Sequence, residues 1–148
     1  MAREILVLNG PNLNLLGRRE PGVYGRATLA DIEAMCRDEA VRLGVEVECR
    51  QSNSEGELVT WIHGIPGRFV GLVLNAGAYS HTSIALLDAL RALEEPLIEV
   101  HLSNIYRRET FRQQSYVSVA AKGVICGFGP QGYLMALRAL AAMCNDAQ

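Results

Sequence analysis

EILVLNGPNLNLLGRREPGVYG, residues 4–25, begins as an unbroken apolar run and changes character at Asn9. The run EILVLN (4–9) reads as a buried strand by its continuous apolar character. An ordinary strand-to-helix turn takes ~2–6 residues, and the connection after this run takes about three times that. Residues 9–25 carry three Asn, two Arg, one Tyr and four Gly, with Pro at 11 and 21. Two questions arise together: which sheet this first strand belongs to, and what use a small protein has for such a loop.

Working outward, short β-rich runs alternate with helical patterns along the whole chain. TLADIEAMCRDEAVRL (28–43) spaces Leu29, Ile32, Met35, Cys36, Ala40 and Leu43 along one helical face, with Thr28 suited to the N-cap and Gly44 to the C-cap. VEVECRQ (45–51) alternates like a strand nearer an edge, and SEGELVTWIHGI (54–65) reads as a helix closed by Pro66-Gly67. VGLVLNAG (70–77), LIEVHLS (97–103) and KGVICGF (122–128) are the remaining strands. Between them, TSIALLDALRALEE (82–95) is a helix capped by Thr82 or Ser83, and PQGYLMALRALAAMC (130–144) is the closing helix with Pro130 at its first position. Five strands alternating with helices predict an α/β, flavodoxin-like doubly wound five-stranded parallel sheet of order 2-1-3-4-5.

A length of 148 residues fits a single domain over 1–148, and 49% hydrophobic residues are enough for a substantial core. A net charge of −2 without a basic block argues against nucleic acid or an anionic membrane as partner. No apolar run approaches a membrane span and MAREILVLNG has no signal-peptide core, so a cytoplasmic location is expected. Cys36, Cys49, Cys126 and Cys144 form no C-x-x-C pair, which favours buried free thiols over a zinc site.

In a sheet of this order, ligands bind beyond the carboxyl ends of the strands where the order reverses, here between strands one and three. Two nucleotide-binding readings compete for that edge, and both are weak. GFGPQG (127–132) fits G-x-G-x-x-G, but no strand follows its helix to complete a βαβ unit, so a tight turn explains it better. An FMN module needs a phosphate cradle after strand one, where Pro11 removes a donor and Ser/Thr residues are missing.

The edge does carry acid–base chemistry. His101 ends strand four with Glu99 two positions back on the same face, and a carboxylate beside an imidazole fixes its tautomer and favours its protonated form. That equips a general acid, and the switch-point location is what sets this reading above a structural His–Glu pair at a strand end. His81 precedes a helix and suits a substrate oxygen or a loop hydrogen bond, whereas His63 beside Trp61 suits packing or the surface. Asn75 suits a hydroxyl ligand or the turn that NAG requires. Asp88 falls mid-helix, on a solvated face or a subunit contact. Tyr24 lies near Arg18 and Arg19, and a guanidinium beside a phenol favours the phenolate, making a usable base. Gly17, Gly22 and Gly25 allow the loop to close as a lid over about 10–27. A lid base, a strand-end acid and hydroxyl-binding groups suit proton removal beside a carbonyl followed by acid-assisted loss of a hydroxyl. A water held by Asn12 would stabilise the enolate between the two steps.

NGPNLNLLGRREPGVYG, NAGAYSHTSIALLDAL, EVHLSNIYRRETFR and GFGPQGY, in that order over nearly the whole chain, resemble the motifs of the type II 3-dehydroquinate dehydratases. The resemblance implies anti elimination of water from 3-dehydroquinate to 3-dehydroshikimate through an enolate, without metal or organic cofactor, in the shikimate pathway or quinate catabolism. By motif position Tyr24 is the base, Arg19 its activator (the Arg directly before Glu20), His101 the acid, Glu99 its orienter and Asn12 the holder of the enolate-side water. Asn75, His81 and Arg112 match hydroxyl-binding positions, and Leu102 and Ser103 match the carboxylate-binding pair. Asp88 matches a residue contributed to a neighbouring subunit's site, within a homododecamer built as a tetramer of trimers. An imine mechanism for the same dehydration needs a lysine. The only lysine among fourteen basic residues is Lys122, at the start of strand five on the opposite edge.

Overall fold

Five of the six residues of strand β1 (Glu4–Asn9) are buried, as its apolar run requires. The structure, a computed structural model, describes residues 3–146, without the side chain of Asp146; residues 1, 2, 147 and 148 of the expected 1–148 span lie outside those described. After β1 come a single helical turn α1 (Pro21–Tyr24), α2 (Leu29–Leu43), β2 (Glu46–Gln51), α3 (Glu55–His63), β3 (Gly71–Asn75) and α4 (Ile84–Arg91). The chain continues through β4 (Leu97–His101), a second single turn α5 (Val117–Ala120), β5 (Gly123–Cys126) and α6 (Gln131–Asp146). All neighbouring strands pair in parallel, in the order β2-β1-β3-β4-β5. β2 is an edge strand, which accounts for its partly buried residues.

Strand alternation divides the core between the two faces of the sheet. Ile5, Val7, Val73, Ile98 and Val100 pack with Ile32, Cys36, Leu137 and Leu140 on the α2/α6 side. Leu6, Leu8, Leu72, Leu74 and Leu97 pack with Leu58, Ile62, Leu86 and Leu90 on the α3/α4 side. No helix among the described residues is long and apolar enough to cross a membrane.

The helix starts follow their caps. Thr28 Oγ1 accepts the Asp31 N–H at 3.1 Å while the Asp31 carboxylate accepts the Thr28 N–H at 3.0 Å, a reciprocal capping box. Ser54 caps α3, and Ser83, rather than Thr82, caps α4. α4 stops at Arg91, short of the expected Glu95, in keeping with Pro96, which has no N–H to give the Ala92 carbonyl and whose ring would clash with it in a continued helix. Pro96 then turns its carbonyl to the Leu72 N–H at 3.0 Å.

Two connections are folded rather than irregular. Residues 10–28 hold a 3-10 turn at Leu13–Leu15 as well as α1, and residues 102–122 hold 3-10 turns at Ile105–Arg107 and Thr110–Arg112 as well as α5. Pieces this short show no apolar period, so the sequence alone does not reveal them. Where the strand ends crowd together, Gly10 is required: a Cβ there would lie 2.4 Å from the Ala76 carbonyl oxygen. At the start of the GFGPQG turn, Gly127 has φ 94°, a conformation that only glycine adopts freely.

Candidate active site

The loops leaving β1, β3 and β4 meet at the carboxyl edge of the sheet and enclose one cavity. Asn12, Arg19 and Tyr24 come from the first loop, Asn75 and His81 from the end of β3 and its following turn, and His101, Leu102, Ser103 and Arg112 from β4 and its loop. Nine residues singled out from the sequence thus line one space, although they lie up to a hundred positions apart. Glu99 does not line it but stands behind His101. Asp88 lies on the exposed face of α4 and does not reach this cavity within its own chain. Lys122 is also away from it, joined through its N–H to the Leu97 carbonyl at the amino end of β4.

The His101 side follows from strand alternation. Leu97, Glu99 and His101 share the α4-side face of β4, so that face turns from apolar to ionisable as it nears the cavity. His101 Nε2 donates to Glu99 Oε2, and both side chains are buried. Two hydroxyls complete the carboxylate: Ser115 donates to Oε2 at 2.6 Å and Ser118, on α5, donates to Oε1. Burial alone would raise the Glu99 pKa, but the imidazole and the two hydroxyls outweigh it and hold the carboxyl below its ordinary value. With Nε2 turned to Glu99, Nδ1 is the nitrogen left for a ligand.

His81 stacks beside His101 with ring centroids 6.1 Å apart. Its Nδ1 lies 2.8 Å from the Gln114 carbonyl, which can only accept, so Nδ1 carries the proton. Burial lowers the His81 pKa, and the neighbouring His101 and Arg112 push it the same way against the Gln114 hydrogen bond. Neutral His81 therefore offers Nε2 as an acceptor.

Tyr24 ends α1 half-buried over the cavity. Arg108 Nη1 donates to its hydroxyl at 2.8 Å, and the guanidinium carbon lies 5.2 Å from the ring centroid. Arg19 stands 5.5 Å from that centroid and also pairs with Glu20 at 3.7 Å. The sequence points to Arg19 as the guanidinium beside the phenol. In the structure Arg108 is hydrogen-bonded to the hydroxyl and Arg19 meets the ring. Arg108 sits in SNIYRRETF, four positions before Arg112, a spacing that carries the signal but does not separate it from Arg107, which is exposed. The start of the first loop is tied to the connection between β2 and α3. The Asn12 N–H donates to Asn53 Oδ1 at 3.0 Å, and both Asn12 (φ 69°) and Glu20 (φ 42°) are left-handed. Asn tolerates that geometry, whereas for Glu it costs on the order of 1 kcal/mol.

Comparison with known proteins gives the chain a lineage. A family profile described as Dehydroquinase class II matches residues 3–141. The chain is 61% identical over 140 residues to "3-dehydroquinate dehydratase 1" of Agrobacterium fabrum, covering 95% of this chain and 97% of that one. Among solved structures, the type II dehydroquinase of Propionibacterium acnes superposes with a TM-score of 0.92 at 48% identity, covering 96% of this chain and 98% of its own. That of Butyrivibrio crossotus gives 0.92 at 41% identity, with 94% and 97% covered. The chain belongs to the class II dehydroquinase family.

Proposed function

We propose that the protein is a 3-dehydroquinate dehydratase that forms 3-dehydroshikimate by anti elimination through an enolate, with no Schiff base. The observation that carries this reading is a phenol held by a guanidinium and an imidazole held by a carboxylate, facing one cavity. Tyr24, with Arg108 on its oxygen and Arg19 at its ring, removes the C2 proton. Asn12 holds a water against the enolate oxygen. His101 then delivers a proton through Nδ1 to the hydroxyl that departs, and Glu99 keeps the ring oriented. Neutral His81, Asn75 and Arg112 bind substrate hydroxyls, and Leu102 and Ser103 bind the carboxylate.

One domain carries the reaction, with residues 10–27 as its lid. Asp88, exposed on α4 one turn from exposed Ile84, serves a neighbouring subunit's site in a dodecamer of four trimers. The four free cysteines suit a reducing, cytoplasmic setting. The product feeds aromatic amino-acid biosynthesis by the shikimate pathway, or arises in quinate breakdown; the chemistry is common to both.

The test is to mix the protein with 3-dehydroquinate and follow the ultraviolet absorbance of the conjugated enone, with and without borohydride. Rising absorbance that survives borohydride is expected. No rise from folded, assembled protein would overturn the activity, and inactivation by borohydride in the presence of substrate would overturn the imine-free mechanism.

A further inference from the structure

Asn9 and Asn75 are the last residues of adjacent parallel strands and stand opposite each other in register. Alternation along Ile5, Val7 and Asn9, and along Val73 and Asn75, turns both carboxamides to the α6 side. Strand ends are commonly wet, yet these two residues are 0% and 3% exposed. Between them lies the hydroxyl of Tyr133, a fully buried residue in the first turn of α6. It donates to Asn9 Oδ1 at 2.5 Å and accepts from Asn75 Nδ2 at 2.9 Å.

One direction is fixed from outside the pair, by Gly77, and the Asn9 Nδ2 is left buried without a partner among the described residues. Burial pushes the Tyr133 phenol pKa upward, so it stays an O–H with one proton to give. That proton goes to the Asn9 oxygen, and the hydroxyl can then only accept from Asn75. On the other side, the Gly77 N–H donates to Asn75 Oδ1 at 3.2 Å. Turning the Asn75 amide end for end would set its NH2 against the Gly77 N–H and its oxygen against the oxygen of Tyr133. Only this orientation of Asn75 satisfies both Tyr133 and Gly77. It leaves one Nδ2 proton of Asn75, which lines the cavity, for a ligand oxygen.

We propose that Tyr133 is a positioning residue for the reaction: through Asn75 it fixes a hydrogen-bond donor at the substrate, and so selects for a substrate oxygen placed to accept there. The proposal rests on reading the cavity as the dehydroquinate site. It is tested by steady-state kinetics on Tyr133→Phe, Asn75→Ala and the double variant. Tyr133→Phe is expected to lower kcat/KM about tenfold to a hundredfold, in the range known for small misplacements of a reacting group. The double variant should be no worse than Asn75→Ala alone, because a residue acting only through Asn75 has nothing left to position. A general loss of packing would instead multiply the two effects. Tyr133→Phe within twofold of the parent, independent effects in the double variant, or an unimpaired Asn75→Ala in an active parent would each overturn the proposal.

An inactive parent would refute the proposed reaction instead. In that case a crystal structure of Tyr133→Phe decides, since an Asn75 amide left unmoved overturns the positioning claim and a turned one supports it. Should Tyr133→Phe not fold, Asn9→Ala removes the far anchor and must show the same coupling to Asn75.

Discussion

Arg108→Met separates a phenol held for catalysis from a phenol merely resting in a loop. Methionine keeps much of the unbranched stem and its packing but removes the donor 2.8 Å from the Tyr24 hydroxyl. While Tyr24 is neutral, that contact is a hydrogen bond from a cation to a hydroxyl. The form that can take the C2 proton is the phenolate, and there the same contact joins opposite charges, so Arg108 favours the reactive phenolate over the resting phenol. A bare Coulomb figure at an effective dielectric of ~20 would be about 6 kcal/mol at this distance, which ignores the desolvation that both groups have undergone. Hydrogen bonds to charged groups measure ~1.5–3 kcal/mol, and with Arg108 at 15% side-chain exposure that range applies. It converts to a loss of roughly 10- to 150-fold in kcat. Arg19, 42% exposed and shared with Glu20, compensates only in part. The assay is initial rates by enone absorbance at fixed pH and salt, with folding checked by circular dichroism. Arg108→Lys should recover part of the loss, since it restores the charge without the planar fork. A folded Arg108→Met enzyme with kcat within threefold of the parent would refute the reasoning.

Tyr24→Phe should lose about 10²–10⁴-fold in turnover while keeping its melting temperature, because the hydroxyl is bonded to Arg108 alone among the described residues; a turnover near that of the parent removes Tyr24 as the base. The Glu99 pKa is depressed in the folded protein, so its contribution to stability is full above the unfolded carboxyl value of ~4.3 and is lost as pH falls through that value toward the folded one. Ser118→Ala removes one of the depressing hydrogen bonds, so the parent's melting-temperature advantage over this variant should shrink below about pH 4; a difference constant from pH 7 to pH 3 contradicts this. Gly10→Ala puts a methyl against the Ala76 carbonyl and should fail to fold or melt far below the parent, whereas Gly22→Ala meets no atom within 4 Å and should be nearly neutral in the same melts. Co-assembling Tyr24→Phe subunits with Asp88→Ala subunits should recover activity that neither has alone, since a mixed site then holds both native side chains. No recovery after verified mixing argues against a shared site.

The sheet was legible because its information is local and repeated: four of the five strands are short apolar runs, and the helices carry 3.6-residue faces and polar caps. Strand order followed from alternation, and the place of the cavity followed from strand order. The Glu99–His101 contact was legible because the two residues lie two apart on one strand face. What stayed hidden depends on contacts between distant segments. Arg108 reaches Tyr24 across 84 positions, and Ser115 and Ser118 serve Glu99 from in and beside a single helical turn with no period to announce it. Tyr133 is hidden for another reason. In the sequence it is one more large residue on an apolar helix, and only the burial of Asn9 and Asn75 gives its hydroxyl a task.

That task joins the ninth residue to the hundred-and-thirty-third, 124 positions apart. During synthesis, β1 and β3 emerge long before α6, so their two strand-end carboxamides are without the hydroxyl that bridges them. Non-local closure of this kind slows folding and prolongs the exposure of unpaired strands. The pocket therefore lacks the Asn9–Tyr133–Asn75 bridge until α6 docks. An N-terminal fragment ending before α6 would hold Tyr24, His101 and Arg108 and still lack a working site. Supplying α6 in trans as a peptide offers a way to switch the enzyme on.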